Sequence, residues 1–373
     1  MKLIYVFILL MFFSCSEKKV HEKCFTSNRF ALGFHIEKFG DLSRVDVLDP
    51  WENATGIHYS YWLVPKNEEV PDSIRSKKII RTPVERVVCL STTHIGFLLK
   101  LGLEDKIVGI SGKQYVSNQK VRAEIEAGQV QDVGYDQNLN YELLLKLKPD
   151  MVMAYGVGSE VASYLSKLED LGIPVVINAE YLEETPLGRA EWLKFVAAFF
   201  NREDDADRIF SETAKQYLQL KQKALQAGHQ PVVITGFPYK DNWWVPGGKS
   251  NMANLIADAG GQYLWKDNDK RESFVLSPEN VISQSVNADV WINCGYVGSL
   301  KDITDQDERF AIIKPLREKM VYNDNKRMIP NGGNDIWETG VANPEVVLKD
   351  LIRIFHPEIF PSDTLYYYQK LPE

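Results

Sequence analysis

Two kinds of hydrophobic patterning divide the chain. Residues 30–64 alternate apolar and polar positions: FALGFHIEKF, a turn at Gly40 and Asp41, SRVDVLD, a second turn over 50–56, then IHYSYWLV. Alternation rich in aromatic and β-branched residues, bounded by Gly, Pro and Asn, predicts a small antiparallel meander. The charged run KNEEVPDSIRSKK (66–78) reads as a linker. From Ile79 the apolar runs become short and continuous. RVVCL (86–90), KIVGI (106–110), DMVMAY (150–155) and IPVVIN (173–178) read as buried strands, with helices over 94–102, 141–148 and 161–172. PVVITGF (231–237) and ADVWINC (288–294) restart the pattern, with helices over 250–261, 277–286 and 343–355. Such alternation indicates parallel βα units covered on both faces. Between the two halves a short apolar helix begins at Pro186. A single-stripe helix then runs from Glu203 to Ala227, with Asn201 as its expected N-cap and three acids in its first turn to complement the dipole. It is expected to be ~37 Å long.

The expected fold class is therefore α/β: two lobes with parallel sheets, joined by one long helix and preceded by a β meander. The division read from these patterns is 1–14 signal peptide, 15–29 tether, 30–78 β extension, 79–185 lobe one, 186–228 connecting helices and 229–373 lobe two. At the start, Lys2 precedes an apolar run of eleven residues (3–13), then Ser14 and Cys15. That is the layout of a secretory signal peptide, and it is too short for the ~20 residues of a spanning helix.

Composition narrows the classes. The 373 residues are 45% hydrophobic and 25% charged, enough for a sizeable core. Forty-three basic against 51 acidic side chains give a net charge of −8, which disfavours nucleic acid and anionic lipid as partners. Cys24, Cys89 and Cys294 show neither a CxxC pair nor a disulfide spacing and read as structural. The six histidines (22, 35, 58, 94, 229, 356) offer no pair close in sequence, so no metal site and no cofactor are expected.

The halves share an echo. NYELLLKLKPDMVMAYG (140–156) and SPENVISQSVNADVWINCG (277–295) each run cap, any residue, Glu, helix, buried strand, which makes Glu142 and Glu279 equivalent first-turn positions. This pair, the phrase LKLKPDMVMAYG, the helical spine after EETPLGRAEWLKF and the start at Cys15 resemble the substrate-binding lipoproteins of iron-siderophore, heme and cobalamin ABC importers. The resemblance covers roughly 79–355. It implies two Rossmann-like lobes joined by one helix, ligand held between them, and no catalysis. It also implies acylation of Cys15, with Phe12 departing from the usual Leu of that motif. The expected partners are the metal complex, a permease with its ATPase, and the membrane through the lipid. A monomer in the cell envelope is expected. In that family a glutamate on each lobe pairs with permease arginines, which carries over to Glu142 and Glu279. The plain alternative is that each simply favours its helix dipole. The meander before Ile79 departs from shorter family members and has no role legible in its residues.

Ligands in open α/β sheets bind beyond the carboxyl ends of the strands. Residues following each expected strand give a candidate lining: Ser91, Thr92, Thr93 and His94, then Tyr135 and Tyr155 in lobe one. In lobe two they are Tyr239, Trp243, Trp244, Tyr296, Asn334, Asp335 and Trp337. Rigid aromatic faces suit a ring-bearing metal complex, although adjacent Trp243 and Trp244 on an extended segment cannot both face one cleft. Siderophore ranks ahead of heme and cobalamin, since no His or Tyr stands out as a heme-iron ligand. PGGKS (246–250) lacks the first glycine of a Walker loop; it either holds an anion on its N–H groups or makes a tight turn. Ser91 and His94 lack a nucleophile elbow. The enzymatic rival is a chelatase on this fold, which would need His94 and Asp335 to face each other across the cleft. A surface scavenger lipoprotein is a third reading.

Overall fold

The structure, a computed structural model, describes Cys24–Thr26 and residues 28–373, apart from 136–137, 159–160 and 331. Cys15, the apolar run 3–13 and most of the tether lie outside the described residues. Among those residues no helix is long and apolar enough to cross a membrane.

The meander forms as its alternation requires. Phe34–Phe39, Leu42–Leu48 and His58–Pro65 pair antiparallel in register, with Cys24–Thr26 added at one edge. At the other edge Lys78–Thr82 pairs parallel to His58–Pro65. The border expected at 78/79 therefore cuts through a strand, and the parallel sheet of lobe one starts at Val87. A β-branched edge strand such as KIIRT carries no sign of which sheet it joins, so the change of pattern at Ile79 does not mark the sheet border.

Lobe one is a parallel sheet in the order Val175–Ile177, Met151–Ala154, Val87–Cys89, Ile107–Ile110, Gln131–Asp132. Lobe two is ordered Gln262–Tyr263, Val232–Thr235, Val290–Ile292, Val321–Asn323, then Gln369–Lys370 antiparallel at the edge. A separate antiparallel ribbon, Pro238–Tyr239, Asn242–Val245 and Phe274–Leu276, lies beside it. Cys89 and Cys294 are free and buried, as structural cysteines should be.

The long helix spans Glu203–Ala224, ~33 Å at 1.5 Å per residue. Its N-cap position is Arg202 rather than Asn201, which sits at φ +55° as a left-handed turn residue. The helix is tied to lobe two where the Tyr217 hydroxyl donates to Asp258 at 2.7 Å and Lys221 pairs with the same carboxylate at 2.6 Å. It packs on two others, Pro186–Ala198 and the closing helix Pro344–Phe355.

Pro186–Ala198 is the centre of the molecule. Thr185 caps it, accepting from the Gly188 N–H at 3.0 Å, and eleven of its thirteen residues are buried. Trp192 and Phe195 meet Phe34 of the N-terminal sheet, with ring centroids 4.9 and 5.6 Å away. Two carboxylates then bind the incoming chain. Glu191 accepts the N–H groups of Arg29, Phe30 and Ala31, and Glu183 accepts those of Leu32 and Gly33 plus the Trp192 indole. Gly33 is required there, because a Cβ would lie 2.9 Å from the Trp192 ring. A single hydrophobic cluster consequently runs from the N-terminal sheet through lobe one to the long and closing helices, and a second fills lobe two around Trp243 and Trp291.

Because Glu191 is fully buried and its carboxylate satisfies three backbone donors, Glu191→Ala strands those donors at once. At about 1–3 kcal/mol for each group left unpaired, urea unfolding should show a loss of about 3 kcal/mol or more. A loss under about 1 kcal/mol would contradict the anchoring role.

Candidate functional site

The sheets' carboxyl ends open on a common cavity of about 450 Å³. Lobe one contributes Leu90, Ser91 and Thr92 after the first parallel strand, Ser111 after the second, Tyr135 after the third and Tyr155 after the fourth. Lobe two contributes Asn293, Gly295 and Tyr296 after Val290–Ile292, and Asp324 and Asn325 after Val321–Asn323. Met328, Asn334 and Trp337 complete the wall. A smaller cavity of about 100 Å³ shares Asn293, Asp324 and Trp337 and continues beneath, towards Arg189 and Met252.

Each wall is held by identifiable contacts. The Tyr135 and Tyr155 hydroxyls lie 3.3 Å apart, and Tyr115 reaches the ring of Tyr135 at 6.4 Å between centroids. Gly134, at φ +86°, lets that loop close, since a Cβ would lie 2.4 Å from the Asn138 carbonyl. In lobe two the buried Asn323 amide donates to the Gly295 and Val297 carbonyls at 2.9 and 3.1 Å, fixing the loop that carries Tyr296. Tyr296 is 93% exposed and faces the opening.

One segment from lobe two closes the side of the cleft. Helix Asp335–Thr339 packs on Thr92–Leu101 of lobe one so closely that a Cβ at Gly96 would lie 1.8 Å from the Glu338 carbonyl oxygen. The Thr92 hydroxyl donates to the Trp337 carbonyl at 3.3 Å. The Glu338 carboxylate accepts from the Ser117 and Asn118 N–H groups at 2.7 and 3.0 Å. Burial raises the Glu338 pKa to about 7 against these hydrogen bonds, and burial likewise raises Asp324 to about 6.

Of the candidate residues, Ser91, Thr92, Tyr135, Tyr155, Tyr296, Trp337 and Asn334 do meet at the main cavity, and Thr93 lines the smaller one. His94 does not. It is fully buried on the inner face of its helix, edge-on to Tyr155, and burial lowers its pKa to about 3. Asp335 is buried, ion-paired with Arg327 and hydrogen-bonded by Thr339. The facing pair that a chelatase needs is therefore not formed. Trp243 is a core residue, stacked on Trp291 at 5.5 Å with its indole donating to the Thr235 carbonyl. Trp244 and Tyr239 are exposed on the antiparallel ribbon, outside the cavity. The PGGKS segment is a tight turn: the Gly248 N–H donates to Asn268, the Lys249 N–H to the Lys270 carbonyl, and the Ser250 hydroxyl caps the next helix. Tyr115 and Asp324 were missed. Reading VYND as a strand would have placed Asp324 at a carboxyl end.

Glu142 and Glu279 occupy the equivalent positions that the echo implies. Each is exposed in the first turn of a helix capped by Asn140 or Ser277. Arg309 pairs with Glu279 at 2.9 Å and holds its carboxyl below the usual range.

The periplasmic binding protein family model matches residues 87–324, both lobes from the first parallel strand to Asp324. The chain belongs to the periplasmic binding protein family. This binding protein is 27% identical over 341 residues to an uncharacterized lipoprotein of Methanocaldococcus jannaschii, covering 86% of the chain and 79% of that relative. Its fold is shared by a periplasmic heme binding protein from Pseudomonas aeruginosa, with TM-score 0.59 and 16% identity, over 78% of the chain and 99% of the other. A protein of an ABC-type Fe3+-hydroxamate transport system from Saccharomonospora viridis matches with TM-score 0.55 and 18% identity, over 74% and 94%. The two solved structures are two-lobed binding proteins, in agreement with the α/β fold expected from the sequence.

A carboxyl whose pKa is raised on folding binds its proton more tightly in the folded chain, so its contribution to stability falls as pH rises from roughly 4.5 to 7. In urea unfolding, Glu338→Gln should lack this slope. The variant should gain on the wild type by up to about 3 kcal/mol between pH 5 and 8, at about 1.4 kcal/mol per unit. Parallel pH profiles would contradict the assignment.

Proposed function

We propose that this chain is the substrate-binding lipoprotein of an ABC importer, capturing a metal complex in the interlobe cleft and delivering it to a permease. The observation that carries this reading is the cavity at the strands' carboxyl ends, walled by Tyr115, Tyr135, Tyr155, Tyr296 and Trp337. Its described lining holds no Lys or Arg and a single carboxyl, Asp324. That charge favours an uncharged or singly positive complex. A ferric tris-hydroxamate fits, whereas the propionates of heme and the strong negative charge of a tris-catecholate would meet no cation there. Iron-siderophore therefore stays first, and cobalamin, larger but without strong negative charge, is its competitor. Acylation at Cys15 would hold the protein in the cell envelope, a reading supported by the lipoprotein naming of its relative. Glu142 and Glu279, one exposed carboxylate per lobe, would dock both lobes onto paired permease arginines by charge-assisted bonds, with Arg309 released from Glu279 on docking.

Titration of tryptophan fluorescence with a cationic ferric tris-hydroxamate should give a Kd below roughly 10 µM, about −7 kcal/mol. A tris-catecholate should bind more weakly. Affinity for the cationic complex should rise as pH passes through 6, and Asp324→Asn should abolish that rise. Tighter catecholate binding would overturn the reading.

The paired substitution Glu142→Arg with Glu279→Arg should leave ligand affinity unchanged and abolish transport in cells. Intact transport would refute the docking role.

A further inference from the structure

A second cluster lies at the opposite edge of the lobe-two sheet. The cleft residues follow strands Val290–Ile292 and Val321–Asn323, whereas His229 precedes the parallel strand Val232–Thr235, and Gly260 precedes Gln262–Tyr263. Here the fold joins segments far apart in sequence. His356 caps the end of the closing helix, Glu358 follows in the next turn, and His229 lies between the long helix and its following strand. One ligand atom from each of His229, His356 and Glu358 lies within 4.8 Å of the others. The two imidazole rings are 5.2 Å apart, centroid to centroid, and inclined at 74°.

The hydrogen bonding around His356 leaves an open coordination position. Its Nε2 is 3.2 Å from the Gly260 carbonyl oxygen. A carbonyl only accepts, so Nε2 carries the proton and Nδ1 presents a lone pair. Gly260 permits this approach, because a Cβ there would lie 2.6 Å from Nε2. The Nδ1 atom is fully buried and receives no hydrogen bond from the described residues. What it faces is the Glu358 carboxylate at 3.8 Å, so that a lone pair and an anion point at each other. A carbonyl holding one ring N–H, so that the other nitrogen keeps its lone pair, is the usual setting of a metal-bound histidine; here a carboxylate lies near enough to share the ion.

We propose that His229, His356 and Glu358 bind one divalent transition-metal ion of the zinc type. Two imidazoles and a carboxylate suit zinc, with the fourth position left to water. Bond lengths of about 2.0–2.2 Å require the donor atoms to draw together by roughly 1 Å. His229 and Glu358 are exposed and free to make that adjustment by rotamer change. The bound ion would staple the exit of the long helix to the end of the closing helix, on the face of lobe two away from the cleft. Its role is thus structural and separate from ligand capture.

The test uses the full chain, prepared without a polyhistidine tag and titrated with zinc chloride by calorimetry. One zinc per chain is expected, together with a rise in melting temperature that a chelator reverses. Cobalt(II) should show tetrahedral absorption bands. His229→Ala and Glu358→Gln, both at exposed positions, should each weaken zinc by at least about tenfold, the lower range for disturbing even an outer partner. Both should lose the cobalt bands while keeping the wild-type melting temperature without metal. Less than one zinc per chain, or wild-type zinc affinity in both variants, would overturn the proposal.

Discussion

The rest of the molecule depends on one buried crossover, the helix Pro186–Ala198. A helix enclosed by protein on nearly every side can keep only two intermediate positions, and both carry paired cations: Arg189 bonds Glu180, and Lys194 bonds Glu191 and Asp207. The N-terminal sheet covers one face and lobe one another, while the long and closing helices pack on what remains. Burying Glu183 and Glu191 is costly unless their oxygens are satisfied. The chain meets that requirement with five consecutive backbone N–H groups of residues 29–33 and the Trp192 indole. This gives the N-terminal extension a physical role. It buttresses the crossover helix, and its sheet is continuous with the main core.

A braced crossover shapes what the cleft can do. The lobes are linked by the crossover, by the long helix, and by Asp335–Thr339, whose backbone touches Gly96 and whose Glu338 binds the backbone at Ser117 and Asn118. With contacts on both sides, recognition is expected to rest on a largely preformed wall of tyrosines. Rigid aromatic faces lose little entropy on binding. Asp324 is the one carboxyl in the described cavity wall, where Lys and Arg are absent, and burial raises its pKa.

Much of this was legible in the sequence because the lobes obey local rules. Val/Ile runs bounded by turns became the parallel strands, and cap-x-Glu became two capped helices. The aromatic and hydroxyl residues following strands became much of the cleft wall. What escaped notice depended on tertiary choice. KIIRT pairs with the extension because strand chemistry does not name its partner. His94 and Trp243 point inward, since the register of a short helix or ribbon is set by packing. Tyr115 lies in a one-turn segment, Lys113–Tyr115, with no periodicity to detect. His229 and His356 meet only because the long and closing helices end side by side, a proximity that no spacing in the sequence encodes.

The central claim is that ligand is held between the lobes at the carboxyl ends of both sheets. The most direct measurement is backbone hydrogen exchange of the full chain, with and without a saturating amount of the metal complex that binds most tightly. The account predicts slowed exchange in residues 91–93, 111–115, 133–135, 293–296 and 324–337, with the N-terminal strands 34–65 unchanged. Protection confined to the N-terminal sheet, or absent from either lobe's cleft segments, would contradict it.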